Sequence, residues 1–244
     1  MTYRCCDVET TGFFDKKEDA TPSGMMEIAW CDLKDGCISR PISHLVDCGI
    51  PVSIEARAVH HISDEMVLGE MRPDEACRIL AEGDHRYLVA HNTDHESHYV
   101  GPGVVRVDGE DVDRQWLCTY KIALRLWPDA PGHKLQELRY FLKVDDAEDF
   151  ESKLALPSHR AGPDAYVGCH LLRAVLAEAE KQGIDHERMV KWSKGPALLY
   201  MCFLKKHKGT PWSQVPKDYL DWIVNKSDIT DRDIRATAKF YLAR

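Results

Sequence analysis

Near its start the chain reads Tyr3-Arg4-Cys5-Cys6-Asp7-Val8-Glu9-Thr10-Thr11-Gly12. The alternation up to Val8 is that of a strand, and Thr10-Thr11-Gly12 is a turn at its end. Successive strand side chains point to opposite faces, so Asp7 and Glu9 project together from one face. Two like charges so close in an apolar setting repel strongly unless a cation or a pKa shift relieves them. An exposed edge strand with two solvated acids is the alternative. It sits badly with Cys5, Cys6 and Val8, which suit a central strand. The segment therefore asks for a sheet whose middle ends in a pair of acids, and a divalent metal supplies the missing charge.

The neighbouring segments extend this sheet. Met25 to Asp32 reads as a second strand, Asp35-Gly36 as a hairpin turn, and Cys37 to Val46 as a third strand, an antiparallel meander. From Ser53 the pattern turns helical, with Ser63 and Pro73 at the starts of short helices. Arg86 to Ala90 is a short buried strand, and His91-Asn92 caps a helix beginning near Thr93. Gly101 to Arg114 is a loop or an extra hairpin. Trp116 to Thr119 ends another strand, followed by a helix through Trp127. Lys134 to Leu142 carries Leu135, Leu138 and Leu142 on one helical face. Asp145 to Ser152 reads as a solvated acidic turn, and Pro163 marks a helix running to about Gln182. A meander followed by alternating strands and helices predicts a mixed α/β sheet flanked by helices.

After Gly183 the composition changes. Lysines at 191, 194, 205, 206 and 208 stand among Trp192, Trp212, Tyr219 and Trp222. We place one domain at 1–182 and a small C-terminal module at 195–244. Lysines beside aromatic rings suit single-stranded nucleic acid, because charge tracks phosphate and rings stack bases. The plainer alternative makes the rings a small core and the lysines its solvated surface. We expect Trp222 in the core and the lysines outward.

Two further segments place acids where they can meet the first pair. His91-Asn92-Thr93-Asp94-His95-Glu96 spans a strand-to-helix junction, with Glu96 four residues after Asn92 and able to point back toward the strand end. His159 and Asp164 span a loop-to-helix junction. Together with Asp7-Val8-Glu9-Thr10, these segments resemble the motifs of the DEDDh 3′→5′ exonucleases: Asp-x-Glu-Thr, then Ala-His-Asn with a carboxylate four residues on, then His-x4-Asp. Glu27-Ile28-Ala29 and Ala58-Val59-His60-His61-Ile62 are lesser matches. The resemblance covers roughly residues 3–180, and the tail resembles a short module carried by part of that family.

The resemblance implies an RNase H-like fold and two divalent ions, Mg²⁺ or Mn²⁺, held by Asp7, Glu9, Glu96 and Asp164. His159 would take a proton from the attacking water, histidine being the residue type that exchanges protons near neutral pH. Thr10, Thr11, Gly12, His60, Asn92 and His95 would contact the substrate, with Gly12 permitting a tight turn. The expected substrate is the 3′ end of single-stranded or frayed DNA. An exoribonuclease, or a weakly active nucleic-acid-binding member of the fold, are the alternatives.

One position departs from the family. Its second motif has Phe-Asp where this chain has His95-Glu96. The extra methylene moves the carboxylate by ~1 Å, a displacement that can cost a large factor in rate. Glu96 functions with a shifted backbone or with Mn²⁺, or Asp94 substitutes from a helical phase about half a turn away, or the second ion binds poorly. We favour a functional Glu96. The histidine run at 91, 95 and 98 also suits zinc at i, i+4 spacing, but the family motif accounts for His91.

Composition limits the remaining choices. With 32 basic and 40 acidic residues the net charge is −8, so bulk charge does not draw this chain to nucleic acid; a local patch must. The nine cysteines are odd in number and lack C-x2-C spacing, which suits a reducing, cytoplasmic compartment. Met1 to Asp7 does not read as a secretory leader. No apolar run approaches the ~18–20 residues that span a bilayer. Nothing in the pattern sets an oligomeric state.

Overall fold

A computed structural model describes residues 1–12, 23–101, 104–107 and 110–244. Strand β1 (Thr2–Thr10) lies at the middle of the main sheet. On one side it pairs antiparallel with β2 (Met25–Lys34), and β2 pairs with β3 (Cys37–Ile38) and β4 (Ile42–Leu45). On the other side β1 runs parallel to β5 (Tyr87–Ala90), which is parallel to β8 (Gln115–Cys118). This is the meander followed by parallel strands that the sequence leads one to expect. One expected strand is two: the run from Cys37 breaks at Ser39-Arg40-Pro41. Proline cannot donate to a ladder, and the Ser39 hydroxyl instead accepts from the Asp32 amide at 2.9 Å.

Helices α1 (Ile54–His60), α2 (Asp64–Val67) and α3 (Pro73–Ala81) begin where Ser53, Ser63 and Pro73 mark them. Ser53 caps α1 by accepting from the Ala56 amide. Helix α4 (Thr93–Val100) leaves the end of β5. In the Gly101–Arg114 stretch the hairpin alternative holds, with β6 (Val104–Val107) pairing β7 (Glu110–Asp113); residues 102–103 and 108–109 lie outside the described residues. Next come α5 (Thr119–Leu126), α6 (Leu135–Phe141) and the long α7 (Ala161–Lys181).

The sheet is buried on both faces. Tyr3, Cys5, Cys31 and Val89 pack against Leu172 and Val175 of α7. Cys6, Val8, Ile28 and Leu88 pack against Ala76 and Leu80 of α3. Strand periodicity puts Asp7 and Glu9 on the same face as Tyr3 and Cys5, the α7 side. The acidic stretch 145–152 is largely exposed, as expected, and acids within it pair with arginines. Asp149 holds Arg173 through two bonds of 2.6 and 2.7 Å, and Glu151 pairs with Arg40.

Helix α8 (His186–Lys194) falls between the two regions drawn from composition, and it packs with the sheet. Met189 is buried in the α7-side core with Val190 and Trp192 against it. The Cys118 amide donates to the Ser193 hydroxyl at 2.8 Å. The last region has its own core around Trp212, Leu220, Ile223 and Ile234. It comprises β9 (Met201–Cys202), β10 (Thr210–Pro211), α9 (Lys217–Asn225) and α10 (Arg232–Leu242). Here one expectation is corrected. Trp212 is the buried tryptophan, and Trp222 is 40% exposed, because α9 turns Leu220 and Ile223 inward and Trp222 outward.

The segment joining the two cores is fastened from both sides. Arg125 donates to the Pro196 carbonyl and Arg232 to the Lys194 carbonyl. The amides of Ala197 and Leu199 donate to Asp233 and to the Thr237 hydroxyl. Truncating the anchor of the small core should be severe: Trp212→Ala is expected to cost about 3–5 kcal/mol, seen as a lower melting temperature with loss of the Trp212 near-ultraviolet signal.

Candidate active site

Strand β1 delivers Asp7 and Glu9 to its C-terminal end, and a register irregularity follows between Glu9 and Thr10. The backbone beyond is fixed by local bonds. Thr11 exchanges two with Gly24, its amide donating to the Gly24 carbonyl and its hydroxyl accepting from the Gly24 amide. The Thr10 hydroxyl donates to the Gly12 carbonyl. Buried His60 donates from Nε2 to the Thr10 carbonyl at 3.1 Å and accepts the Ile62 amide at Nδ1. His60 therefore holds the Thr10 turn from behind, and burial lowers its pKa. Gly12 does not adopt positive φ, and a Cβ there would meet Ser53 only at van der Waals distance, 3.7 Å. The chain does bend at Thr11-Gly12, but not through the left-handed conformation that would require a glycine.

Helix α7 brings Asp164 to the same place. Its start is tied to the sheet by Glu27 of β2, which accepts two bonds from the Arg160 guanidinium, at 2.9 and 2.8 Å, and one from the Ala161 amide at 3.0 Å. Gly162 lies so close to Ser43 that a Cβ would collide with the hydroxyl. Asp164 accepts from Gln136 Nε2 and from the His159 amide, both at 2.9 Å. Gln136 is oriented by Arg139, which donates to its Oε1 at 3.2 Å. His159 has a left-handed backbone (φ 61°) and an exposed side chain on the loop before α7. The hydrogen bond that its backbone N–H donates to Asp164 helps hold that conformation.

Helix α4 supplies the fourth acid. Asn92 occupies the N-cap position, but its side chain makes no capping bond and is exposed. Asp94 points away from the site and is held by Lys121 through two bonds of 2.9 Å, so it does not replace Glu96. Glu96 is 4% exposed, and among the described residues its Oε2 has no hydrogen-bond partner. His91 spends both ring nitrogens within the fold, on Thr119 and on the His133 carbonyl. Burial pushes its pKa down to about 4. With both nitrogens engaged, His91 has no lone pair for a zinc shared with His95. His95 lies edge-on to Tyr99, ring centroids 5.2 Å apart. It also lines a cavity of about 140 Å³ with Val8, Glu9, Thr10, Gly12 and His60.

Among the described residues, Asp7, Glu9 and Asp164 form a cluster whose ligand atoms lie within 4.8 Å of one another. Glu96 stands just outside it. Burial raises the Asp7 pKa well above the usual carboxylate range, and Glu9, Glu96 and Asp164 add to the rise. Glu9 is pushed up to about 8 by burial and by Asp164. Glu96 also rises to about 8, chiefly through burial. Asp164 is raised by burial against the opposing pull of the His159 amide. These are hard oxygen donors short of positive charge, with an orphaned buried oxygen beside them, and they fit divalent cations such as Mg²⁺ or Mn²⁺. Glu27, Arg160, Gln136 and Arg139 support the cluster. Of these, sequence singled out only Glu27, as part of a lesser motif.

No family model matches the chain. Exodeoxyribonuclease 10 of Escherichia coli K12 is 28% identical over 242 residues, covering 98% of both chains. A PolC-type DNA polymerase III of Lacticaseibacillus paracasei is 28% identical over 180 residues, which are 73% of this chain and 12% of that one. Among solved structures, exonuclease X in complex with 5′ overhanging duplex DNA superposes with a TM-score of 0.60 at 29% identity, over 78% of this chain and 99% of that one.

The raised pKa values fix how stability depends on pH. Unfolded Asp and Glu titrate near ~4, whereas Glu9 and Glu96 in the folded chain titrate near 8. Between those values the folded, metal-free protein binds more protons than the unfolded chain, so stability falls as pH rises. Thermal melts in EDTA should show a falling melting temperature from about pH 5 to about pH 8. The increment from millimolar Mn²⁺ should grow over the same range, because the cation takes the ionised carboxylates.

Proposed function

Since the chain belongs to the DEDDh family of 3′→5′ exonucleases with an RNase H-like fold, we propose that it hydrolyses phosphodiester bonds at the 3′ end of single-stranded or frayed DNA, releasing nucleoside 5′-monophosphates. The observation that carries this proposal is the cluster of Asp7, Glu9 and Asp164 within 4.8 Å, with buried Glu96 beside it. Asp7, Glu9, Asp164 and Glu96 are the residues that would hold two divalent ions, Mg²⁺ or Mn²⁺. Bound there, such ions polarise the phosphate, acidify the attacking water and stabilise the leaving 3′-oxygen.

The chain's own groups do the rest. His159, exposed on the loop before α7, accepts the proton of the attacking water. Its backbone N–H donates to the Asp164 carboxylate, which anchors the loop that carries the imidazole. Arg139 and Gln136 hold the Asp164 carboxylate in one orientation. The Thr10–Gly12 backbone, locked by His60 and Gly24, gives the terminal nucleotide a fixed surface to lie on. The cavity between Glu9 and His95 receives part of that nucleotide and keeps water from its inner side. Free cysteines throughout the chain support a cytoplasmic setting, and among the described residues no helix is long and apolar enough to cross a membrane.

A 3′-end degradation assay on labelled single-stranded DNA and RNA, with Mg²⁺ or Mn²⁺, tests the proposal. Wild type should shorten DNA from the 3′ end, and Asp7→Ala should not. Glu96→Asp should lose up to about 10²-fold in rate, because the carboxylate retracts from the position α4 sets for it. Wild type as inert as Asp7→Ala with both metals would sink the exonuclease assignment. A faster Glu96→Asp would mean that the longer side chain damps the enzyme.

A further inference from the structure

The C-terminal region carries an open cleft of about 910 Å³ whose walls include Lys205, Lys206, Tyr219, Trp222 and Lys226. Tyr219 and Trp222 lie three apart on α9, so they share a face. Their rings stack, with centroids 5.4 Å apart and planes at 18°. The Lys206 ammonium sits 5.1 Å over the Tyr219 ring. Lys205, Lys206 and Lys226 are exposed. Lys226 makes one surface ion pair, with Asp221 at 3.5 Å, and Asp218 is the acid among the cleft walls.

The core of this region closes without Trp222. Trp212, Leu220, Ile223 and Ile234 fill it, and Trp222 remains 40% exposed. An indole held flat against a tyrosine and left open to solvent is a platform rather than a packing element. Rings that stack, with cations at the rim, are what a sequence-tolerant single-strand site combines: bases lie on the rings and phosphates meet the ammonium groups. A duplex hides its base faces and has nothing to offer such a platform.

We infer that this cleft is a second nucleic-acid site, separate from the carboxylate cluster, that binds a single-stranded segment by stacking a base on Trp222 and neutralising phosphates with Lys205, Lys206 and Lys226. It rests on the proposed function only for the class of ligand.

Binding is read in EDTA, where no divalent ion is left to bridge nucleic acid to the carboxylate site. Full-length protein is titrated into a fluorescent single-stranded 20-mer and a blunt 20-base-pair duplex, and anisotropy is followed across a salt series. Trp222→Ala should raise the single-strand Kd by about tenfold or more. The surface pair Lys206→Gln with Lys226→Gln should keep the wild-type melting temperature and reduce the slope of log K against log salt by ~1.4, two phosphate contacts on a single strand. Wild-type affinity and slope in both variants would overturn the inference, as would wild-type binding that is equally tight for duplex and single strand. Hydrolysis of a mononucleotide p-nitrophenyl ester by wild type, with Mn²⁺, reports on the proposed function alone. If the ester is untouched while the cleft variants lose single-strand binding, the exonuclease proposal fails and the second site stands.

Discussion

Repulsion among buried carboxylates sets the terms for the rest of this molecule, and the fold answers it by giving cations to some acids and denying them to others. Glu9 and Glu27 are directly opposite each other on β1 and β2, an unfavourable cross-strand pair. Glu27 receives Arg160 and the Ala161 amide. Among the described residues Glu9 receives no hydrogen bond or ion pair, and its pKa climbs despite the more distant pull of Arg160. Two residues apart on α4 the same choice recurs: Asp94 is matched by Lys121, while Glu96 keeps an oxygen without a partner. The acids that hold the architecture are neutralised from within. Those left unsatisfied converge on one point, where an external charge completes them.

The sheet makes that convergence possible. Asp7 and Glu9 come from the central strand, Asp164 from the helix packed on that strand's face, and Glu96 from the helix that leaves the neighbouring parallel strand. The Glu27–Arg160 pair locks the second of these to the first. Removing Arg160 would leave a buried glutamate uncompensated and free the start of α7, so the geometry of the acids is coupled to a contact that touches no substrate.

The carboxylates were legible in sequence because each depends on local periodicity. Asp7 and Glu9 share a face through the two-residue strand repeat, and Glu96 and Asp164 sit at helix starts. Their supports were not legible, because they are tertiary. Glu27 and Arg160 are 133 positions apart, and Gln136 reaches Asp164 from a helix whose visible signal is its leucine face. Trp222 was expected in the small core for a related reason. Composition shows two tryptophans in a small unit, but only the phase of α9, set by Leu220 and Ile223, decides which one is buried. Gly12 was read as permitting a tight turn, and its backbone lies outside the left-handed region, so positive φ is not the reason for a glycine there. Net charge was a poor guide to ligands, since −8 overall coexists with a lysine-rimmed cleft.

The joining segment between the two cores has a further consequence. Bonds from Arg125, Asp233, Thr237 and Arg232 hold residues 194–199 at several points, so the C-terminal region does not swing on a free tether. On a flexible linker, the local concentration that one site presents to the other is averaged over many separations. Here it is concentrated at one separation. A strand engaged by the lysine-rimmed cleft would present its remainder to the carboxylates from a set distance and direction, so that strands long enough to bridge the gap would gain an avidity that shorter ones lack.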